Sequence, residues 1–446
     1  MKNILLIGAG RSASSLIRYL AQNAPTQGWQ IIIADNNVTL VEEKIQPYPH
    51  LRGIIFDANN EVTAKDIISK QDLVISLLPP FLHIKVAKIC LELSKNLLTA
   101  SYVSDEMRLL DADVKKKGLL FLNEIGLDPG IDHLSAMQIL DNLREEGHEI
   151  TTFKSYTGGL IAPESDNNPW NYKFTWNPQN VVLAGQSVAK YLENGTHKYI
   201  PYHKLFSRVE QFKIDGFGEF EGYANRDSLG YQNVYRLENA RTILRGTLRR
   251  KSFCSAWNCF VQLGMTDNIT KISTRNLTYY DFLHSFLPDN QTSYEYLKLA
   301  QHSDEIEKLA WLGLFEGKII DFPPQLFPTE MATPAQILQH ILEEKWTLQD
   351  TDKDMIVMQH QIGFKKGNAH KLCTSELVVL GEDTTHTAMA KTVGLPLGIA
   401  AKLILNNKIS SKGVCLPLTK EIYEPILLEL ATLGIVFKEK TTTLSE

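Results

Sequence analysis

Residues 3–7, NILLI, form a short apolar run, and GAGRSASSLIRYLAQ follows with Leu16, Ile17 and Leu20 at helical spacing. Apolar run, glycine turn and amphipathic helix, in that order, make the first half of a β-α-β unit. The alternation continues through WQIIIAD (29–35), GIIFD (53–57), DLVISLLP (72–79), NLLTAS (96–101) and LLFLNEIG (119–126). Strands that are apolar almost throughout belong to a parallel sheet covered on both faces. Six of them with crossover helices predict an α/β fold whose first domain, residues 1–130, is a Rossmann-type doubly wound parallel sheet.

With 446 residues the chain has room for two or three domains. After residue 150 the texture changes to KFTWN, VEQFKIDGFGEFEGYA and ARTILRGTLRRKSF, strands with turn signals between them. A second α/β domain with a largely antiparallel sheet is expected over about 131–270, and MIVMQHQIGF and SELVVLG return to it over about 355–385. Between them, in about 271–354, the apolar positions of DEIEKLAWLGLF and TPAQILQHILEEKW fall at helical spacing, which predicts a helical insertion. Residues from about 386 to 446, including MAKTVGLPLGIAAKLIL, read as helical with a break at Gly394 and Pro396, packing back on the first domain.

The balance of charge narrows the partners. A formal net charge of -5 with scattered lysines offers no basic stripe for phosphates, so a small molecule is expected rather than nucleic acid. The five cysteines, Cys90, Cys254, Cys259, Cys373 and Cys415, are odd in number and lack CxxC spacing. Neither a disulfide framework nor a zinc site is expected, and a reducing cytoplasm suits them. KNILLIGAG is too short to span a bilayer, so neither export nor membrane insertion is expected.

Gly8, Gly10 and Ala13 form GxGxxA between strand and helix, where glycine permits a tight turn and close approach of backbone to a pyrophosphate at the helix N-terminus. Arg11 and Ser12 line the same loop. Asp35 ends the second strand, where an acid accepts both ribose hydroxyls of NAD and repels the 2′-phosphate of NADP. ADNN is also good turn chemistry, but Asn36 and Asn37 supply no arginine, and NAD is expected over NADP.

The strand ends LLPP (77–80), TASY (99–102) and EIGLDPG (124–130) should emerge at the carboxyl edge of the sheet, where such domains bind ligands. In NEIGLDPGIDH, Asp128 lies on the turn itself and is the functional candidate. Asp132 is as well placed to cap or charge the next helix, and Glu124 admits either role. Arginines in NRDS (225–228) and GTLRR (246–250) carry guanidinium forks that match carboxylates, although a surface ion pair is the commoner fate of a lone arginine. The histidines show no HExxH or HxH, so His133 and His360 read as packed or capping residues and no metal is expected. No GxSxG nucleophile motif appears.

Taken together GAGRSA, VISLLP, TASY, NEIGLDPGIDH, SYTGGLIAPESDNNPWNYKFTW, NRDS, RGTLR, AWLGLF and MAKTVGLPLGIAAKLIL resemble, along the whole chain, saccharopine dehydrogenases of the glutamate-forming kind, also called saccharopine reductases. The resemblance implies a Rossmann domain, a saccharopine-binding α/β domain and a helical domain closing the cleft, with the C-terminal segment completing the first. It places Ala9 to Ser12, Asp35, Asn36, Asp57, Ala58, Leu78, Ser101, Asp128 and Trp176 at cofactor positions. It places Ser101, Tyr102, Asp128, Arg226, Thr247, Leu248 and Arg249 at substrate positions. The sequence departs from family members that use NADP at Asn36, where they carry arginine; Ala100 replaces a common serine, and Thr157 a cysteine found in some members.

The reaction so implied, part of lysine metabolism, interconverts saccharopine with glutamate and 2-aminoadipate 6-semialdehyde by hydride transfer to or from a nicotinamide. Asp128 is its catalytic candidate, and three carboxylates on the substrate account for two arginines. Rivals are a carboxynorspermidine-type dehydrogenase, whose substrate has fewer carboxylates and more amines, and a non-catalytic NAD-binding regulatory protein. A homodimer is expected.

Overall fold

A computed structural model describes residues 1–186 and 188–444. The chain divides into two compact units. The first comprises Met1–Glu149 and Leu377–Lys440; the second comprises Ile150–Glu376 and the residues from Thr441 onward.

The first unit is built on a parallel sheet. Its strands are β1 (Lys2–Ile7), β2 (Trp29–Asp35), β3 (Arg52–Ile55), β4 (Leu73–Ser76), β5 (Asn96–Thr99) and β6 (Leu120–Leu122). The crossover helices are α1 (Ser14–Gln27), α2 (Val38–Ile45), α3 (Glu61–Ser69) and α4 (Pro80–Glu92). In space the order is β6-β5-β4-β1-β2-β3, so β1 lies between β4 and β2 and the winding reverses there. A seventh strand, Gly413–Cys415, pairs in parallel with β6 and extends that edge with residues from the far end of the chain.

The apolar runs explain the layering. Leu5, Ile7, Val74, Leu97 and Phe121 form one core with Ala64 and Ile68 of α3 and Val86, Ala87 and Cys90 of α4. Each fully buried leucine or isoleucine there contributes roughly 1.5 to 3 kcal/mol of transfer free energy. Residues 131–145, expected in the second domain, form a helix (Ile131–Glu145) that belongs to the first unit.

The expected break at Gly394 and Pro396 does not occur: Ala388–Leu405 is one continuous helix. The two glycines serve packing instead. A Cβ at Gly394 would approach the Leu16 backbone nitrogen to 2.7 Å, and one at Gly398 would overlap the Tyr19 ring, so their absence lets this helix lie close against α1. By length and composition this helix could cross a membrane; 67% of it is buried inside the protein.

The second unit carries a mixed sheet in the order Val209–Ile214, Gly218–Ala224, Thr242–Arg250, Glu149–Ile161, Asp354–Lys366, Ala369–Leu380, Lys438–Thr443. The hairpin of Ala189–Glu193 and Thr196–Ile200 branches from Thr242–Arg250. Residues 271–354 hold the helices Tyr279–His284, Ser293–Leu297, Asp304–Trp311 and Pro334–Trp346, and they lie within this unit. Its core is aromatic: Trp170 stacks on Phe260 at 5.4 Å between ring centres and meets Trp346 edge-on at 5.3 Å. Such pairs add to the large area each ring removes from water.

Candidate active site

At the carboxyl edge of the first sheet, the loop after β1 is shaped by Gly8. Its φ of +105° suits only glycine, and a Cβ there would come within 2.9 Å of the Leu77 carbonyl oxygen at the end of β4. The loop is tied down by Asp35, whose Oδ2 accepts the Ala9 N–H at 2.8 Å while Oδ1 accepts the Asn37 N–H at 3.0 Å. A Cβ on Gly10 would meet nothing, so the loop surface is open there, and a short 3-10 turn over Arg11–Ala13 leads into α1. A glycine loop pinned open ahead of a helix N-terminus fits the pyrophosphate of a dinucleotide.

The other nucleotide candidates in this unit sit along the same edge. Asp57 Oδ1 accepts the Asn59 backbone N–H at 2.8 Å, Ala58 is buried beside it, and Leu78 is half-buried after β4. Asn36 is exposed; its neighbour Asn37 caps α2, its side chain accepting the Leu40 N–H.

The three acids of NEIGLDPGIDH separate cleanly. Glu124, buried and with a positive φ of +56°, accepts the Val103 N–H at 3.0 Å on Oε1 and meets His133 Nε2 at 2.9 Å on Oε2. It thereby braces the strand end after Tyr102 against the following helix. Asp132 accepts the Gly130 N–H at 2.6 Å and charges the first turn of that helix. Asp128 is half-exposed and accepts the Tyr102 hydroxyl at 3.1 Å on Oδ1. A carboxylate oriented by a phenol and reachable from solvent can accept a proton or hold an amine.

Ser101, one residue earlier in TASY, is held by His83. The imidazole is buried, with Nδ1 2.8 Å from Ser76 Oγ and Nε2 2.8 Å from Ser101 Oγ. Burial pushes its pKa down to about 4, so the ring is neutral at physiological pH. His83 was not among the residues the sequence brought forward; a histidine in the first turn of a helix after LLPP carries no pattern that distinguishes it.

In the second unit, NRDS and RGTLR are brought together. Asn225 Nδ2 donates to Thr247 Oγ1 at 3.0 Å, and the Asn225 N–H donates to the Arg245 carbonyl at 2.9 Å. Arg226 is exposed with φ +46°. The Leu248 side chain is fully buried. Gly158 of SYTGG lies so close to this strand that a Cβ would approach the Leu248 carbonyl oxygen to 2.6 Å.

Arg249 is the most telling residue of this unit. The residue is 5% exposed and its guanidinium is caged by Tyr172, Phe253 and Tyr223, at 5.2, 5.4 and 5.9 Å from the ring centres. Nη1 donates to the Leu248 carbonyl at 3.0 Å, while Nε finds no partner among the described residues. Among the described residues no carboxylate pairs with it, which sets aside the surface ion pair as its role. A buried guanidinium with open donors is a receptor for an anion. Trp176, assigned above to the cofactor positions, is half-buried and belongs to this second unit.

Two family models account for almost the whole chain: "Saccharopine dehydrogenase NADP binding domain" matches residues 4–122, and "Saccharopine dehydrogenase C-terminal domain" matches residues 126–435. The chain belongs to the saccharopine dehydrogenase family. Among relatives, saccharopine dehydrogenase [NADP(+), L-glutamate-forming] of Saccharomyces cerevisiae is 33% identical, with 99% of each chain covered. Mitochondrial alpha-aminoadipic semialdehyde synthase of Mus musculus is 34% identical over 99% of this chain and 48% of its own length. The chain thus spans about half the length of the mammalian relatives it matches. The solved apo structure of the S. cerevisiae saccharopine dehydrogenase (L-Glu forming) superposes with a TM-score of 0.89 at 32% identity, covering 99% of this chain and 100% of that one. A homospermidine synthase from Legionella pneumophila, at TM-score 0.56 and 10% identity, shares the fold alone. The nucleotide-domain model and the S. cerevisiae relative carry NADP in their names, whereas Asp35 and Asn36 point to NAD.

Proposed function

We propose that this member of the family is a nicotinamide-dependent saccharopine dehydrogenase of the glutamate-forming kind, acting in lysine metabolism. The observation that carries the reading is Arg249, a buried cation with donors left open for a carboxylate. A polyamine-type substrate, with fewer carboxylates and more amines, would leave Arg249 and Arg226 fewer counter-ions to share. A nicotinamide nucleotide held by the Gly8–Ser12 loop would supply the hydride acceptor for the carbon beside the secondary amine of saccharopine; the imine left on the substrate would hydrolyse to glutamate and 2-aminoadipate 6-semialdehyde, and the reverse reaction would run by the same groups.

The chain's own residues have separable duties in this reading. The amine must be neutral when the hydride leaves, and Asp128, oriented by Tyr102, takes or steadies that proton. Arg249 and Arg226 take carboxylates, and binding energy from those distant groups fixes the reacting carbon. Asp35 supports NAD as the preferred nucleotide, in departure from the relatives' names: its carboxylate at the end of β2 repels a 2′-phosphate, and Asn36 offers no cation to offset that. A homodimer in the cytoplasm belongs to the same proposal; sedimentation of the purified protein as a monomer would remove the first part.

The test is to mix purified protein with saccharopine and either nucleotide and follow reduced nicotinamide by absorbance. Turnover with NAD above NADP is expected; a clear advantage for NADP would overturn the role of Asp35, and nucleotide binding without any substrate-dependent signal would return the chain to a regulatory role. Asp128→Ala should lower the rate by about 10- to 1000-fold with nucleotide still bound.

A further inference from the structure

His83 lies in the first turn of α4, 5% exposed, and touches three hydroxyls at the carboxyl ends of two neighbouring strands. Ser76 ends β4 and Thr99 ends β5, and the two are partners in the parallel ladder. Nδ1 is 2.8 Å from Ser76 Oγ; Nε2 is 2.8 Å from Ser101 Oγ and 3.2 Å from Thr99 Oγ1. Thr99 Oγ1 also accepts the Ser101 backbone N–H at 3.2 Å.

Counting protons decides how this cluster is wired. A neutral imidazole has one N–H and one lone pair. If the proton were on Nδ1, it would go to Ser76 Oγ, and the buried Ser76 hydroxyl would have no acceptor for its own proton among the described residues. The single lone pair on Nε2 would then face two hydroxyls. Were Ser101 to donate to it, Thr99 would also be left with an idle proton; were Thr99 to donate, Ser101 Oγ would press against nitrogen at 2.8 Å with no hydrogen between them. With the proton on Nε2 these conflicts ease. Ser76 donates to Nδ1, Nε2–H donates to Ser101 Oγ, and only Thr99 keeps an idle proton. The second wiring leaves a single buried hydroxyl proton idle and no opposed lone pairs, a combination neither alternative reaches, so it prevails.

In that wiring Ser101 receives a hydrogen bond from the protein and has its own O–H left to give. We infer that His83 is a positioning residue which, as the Nε2–H tautomer, turns the Ser101 hydroxyl into a dedicated donor toward an acceptor oxygen of the bound ligand. That oxygen is either a carboxylate of the substrate or the carboxamide oxygen of the nicotinamide. The inference rests on the assignment of Ser101 to the ligand site made above. Burial, which depresses the pKa of His83 to about 4, keeps a second proton off the ring at neutral pH, so the wiring does not change there.

The experiment is a pair of amide replacements crossed with Ser101→Ala, read by steady-state kinetics. In His83→Gln the amide nitrogen reaches the place of Nε2 and keeps the bond to Ser101; in His83→Asn it reaches only the place of Nδ1. His83→Asn should lower kcat/KM about 10- to 100-fold, the value of one hydrogen bond to a charged or strongly polar group, and Ser101→Ala should do the same. The double variant should be no worse than either single one, and His83→Gln should recover most of the loss. A rise in KM confined to saccharopine assigns the acceptor to the substrate, and one confined to nucleotide assigns it to the carboxamide. Normal kinetics in His83→Asn, multiplied losses in the double variant, or Gln as impaired as Asn would overturn the inference. Imidazole nitrogen shifts of His83 by NMR decide the tautomer without reference to turnover: protonation on Nδ1 refutes it. Absence of saccharopine turnover in the wild-type protein, by contrast, refutes the enzyme assignment and leaves the tautomer to the NMR result.

Discussion

Asp35 in the first unit and Arg249 in the second are both charged, both carried by strands and both nominated for ligands, yet the protein treats them oppositely. Each oxygen of Asp35 already accepts a backbone N–H, from Ala9 and from Asn37, so the carboxylate is part of the loop it shapes and still has lone pairs to offer. Arg249 is buried among three aromatic rings with Nε unpartnered. A charge held by backbone hydrogen bonds contributes to the fold, whereas a buried charge left open costs stability until something else completes it. The difference separates residues that build a site from residues that wait for a ligand.

The sharpest way to break that contrast is Arg249→Met. Saccharopine binding should weaken by roughly 2 to 4 kcal/mol with nucleotide affinity unchanged, and the melting temperature should hold or rise because an unpaired buried charge has gone. A fall in melting temperature together with unaltered binding would place Arg249 with the builders.

His83 offers the next largest effect, on stability against pH. Burial lowers its folded pKa from the ordinary 6.5 to about 4, so the unfolded chain takes up the proton first. The stability this group contributes is whole above pH 6.5 and is lost as pH falls toward 4, by up to ~3 kcal/mol. Denaturant titrations at pH 7, 5.5 and 4 should show that much less acid sensitivity in His83→Gln; the same loss of stability with acid in both proteins would mean the folded ring takes up its proton as readily as the unfolded one.

On the other side, Asp35→Ala removes two backbone contacts at once. It should cost ~1 to 2 kcal/mol of stability even without nucleotide, and weaken NAD binding besides. If only the binding changed, Asp35 would belong with Arg249. The smallest effect is expected from Asp132→Ala, about 1 kcal/mol of stability from the lost Gly130 contact and helix-terminus charge, with kinetics intact. A kinetic defect there comparable with that of Asp128→Ala would blur the division of labour within NEIGLDPGIDH.

Much of the first unit was legible in the linear chain. Near-continuous apolar runs, glycine turns and helical spacing between them predicted a doubly wound parallel sheet, because those signals depend on neighbours a few residues apart. Asp128 also stood out locally, on a turn rich in glycine and proline. The continuous helix Ala388–Leu405 was misread at Gly394 and Pro396 because the reason for its glycines is the surface of α1, far away in sequence. Glu124 stayed ambiguous in part for the same reason, since Val103 lies on another strand end, whereas His133 and the Gly130 N–H that Asp132 accepts sit within NEIGLDPGIDH itself and only the fold of that turn pairs them.

By itself, then, the order of residues determined the winding of the first sheet, the glycine loop and which strand ends carry polar chemistry, since each is set by short-range periodicity and backbone preference. Only the tertiary structure decided that His83 bridges Ser76 and Ser101, that Glu124 is spent on bracing a loop, and that Arg249 is buried in an aromatic cage without a counter-ion among the described residues. Hydrogen-bond completion and desolvation are properties of what surrounds a group in space, and residues distant along the chain supply those surroundings only once it has folded.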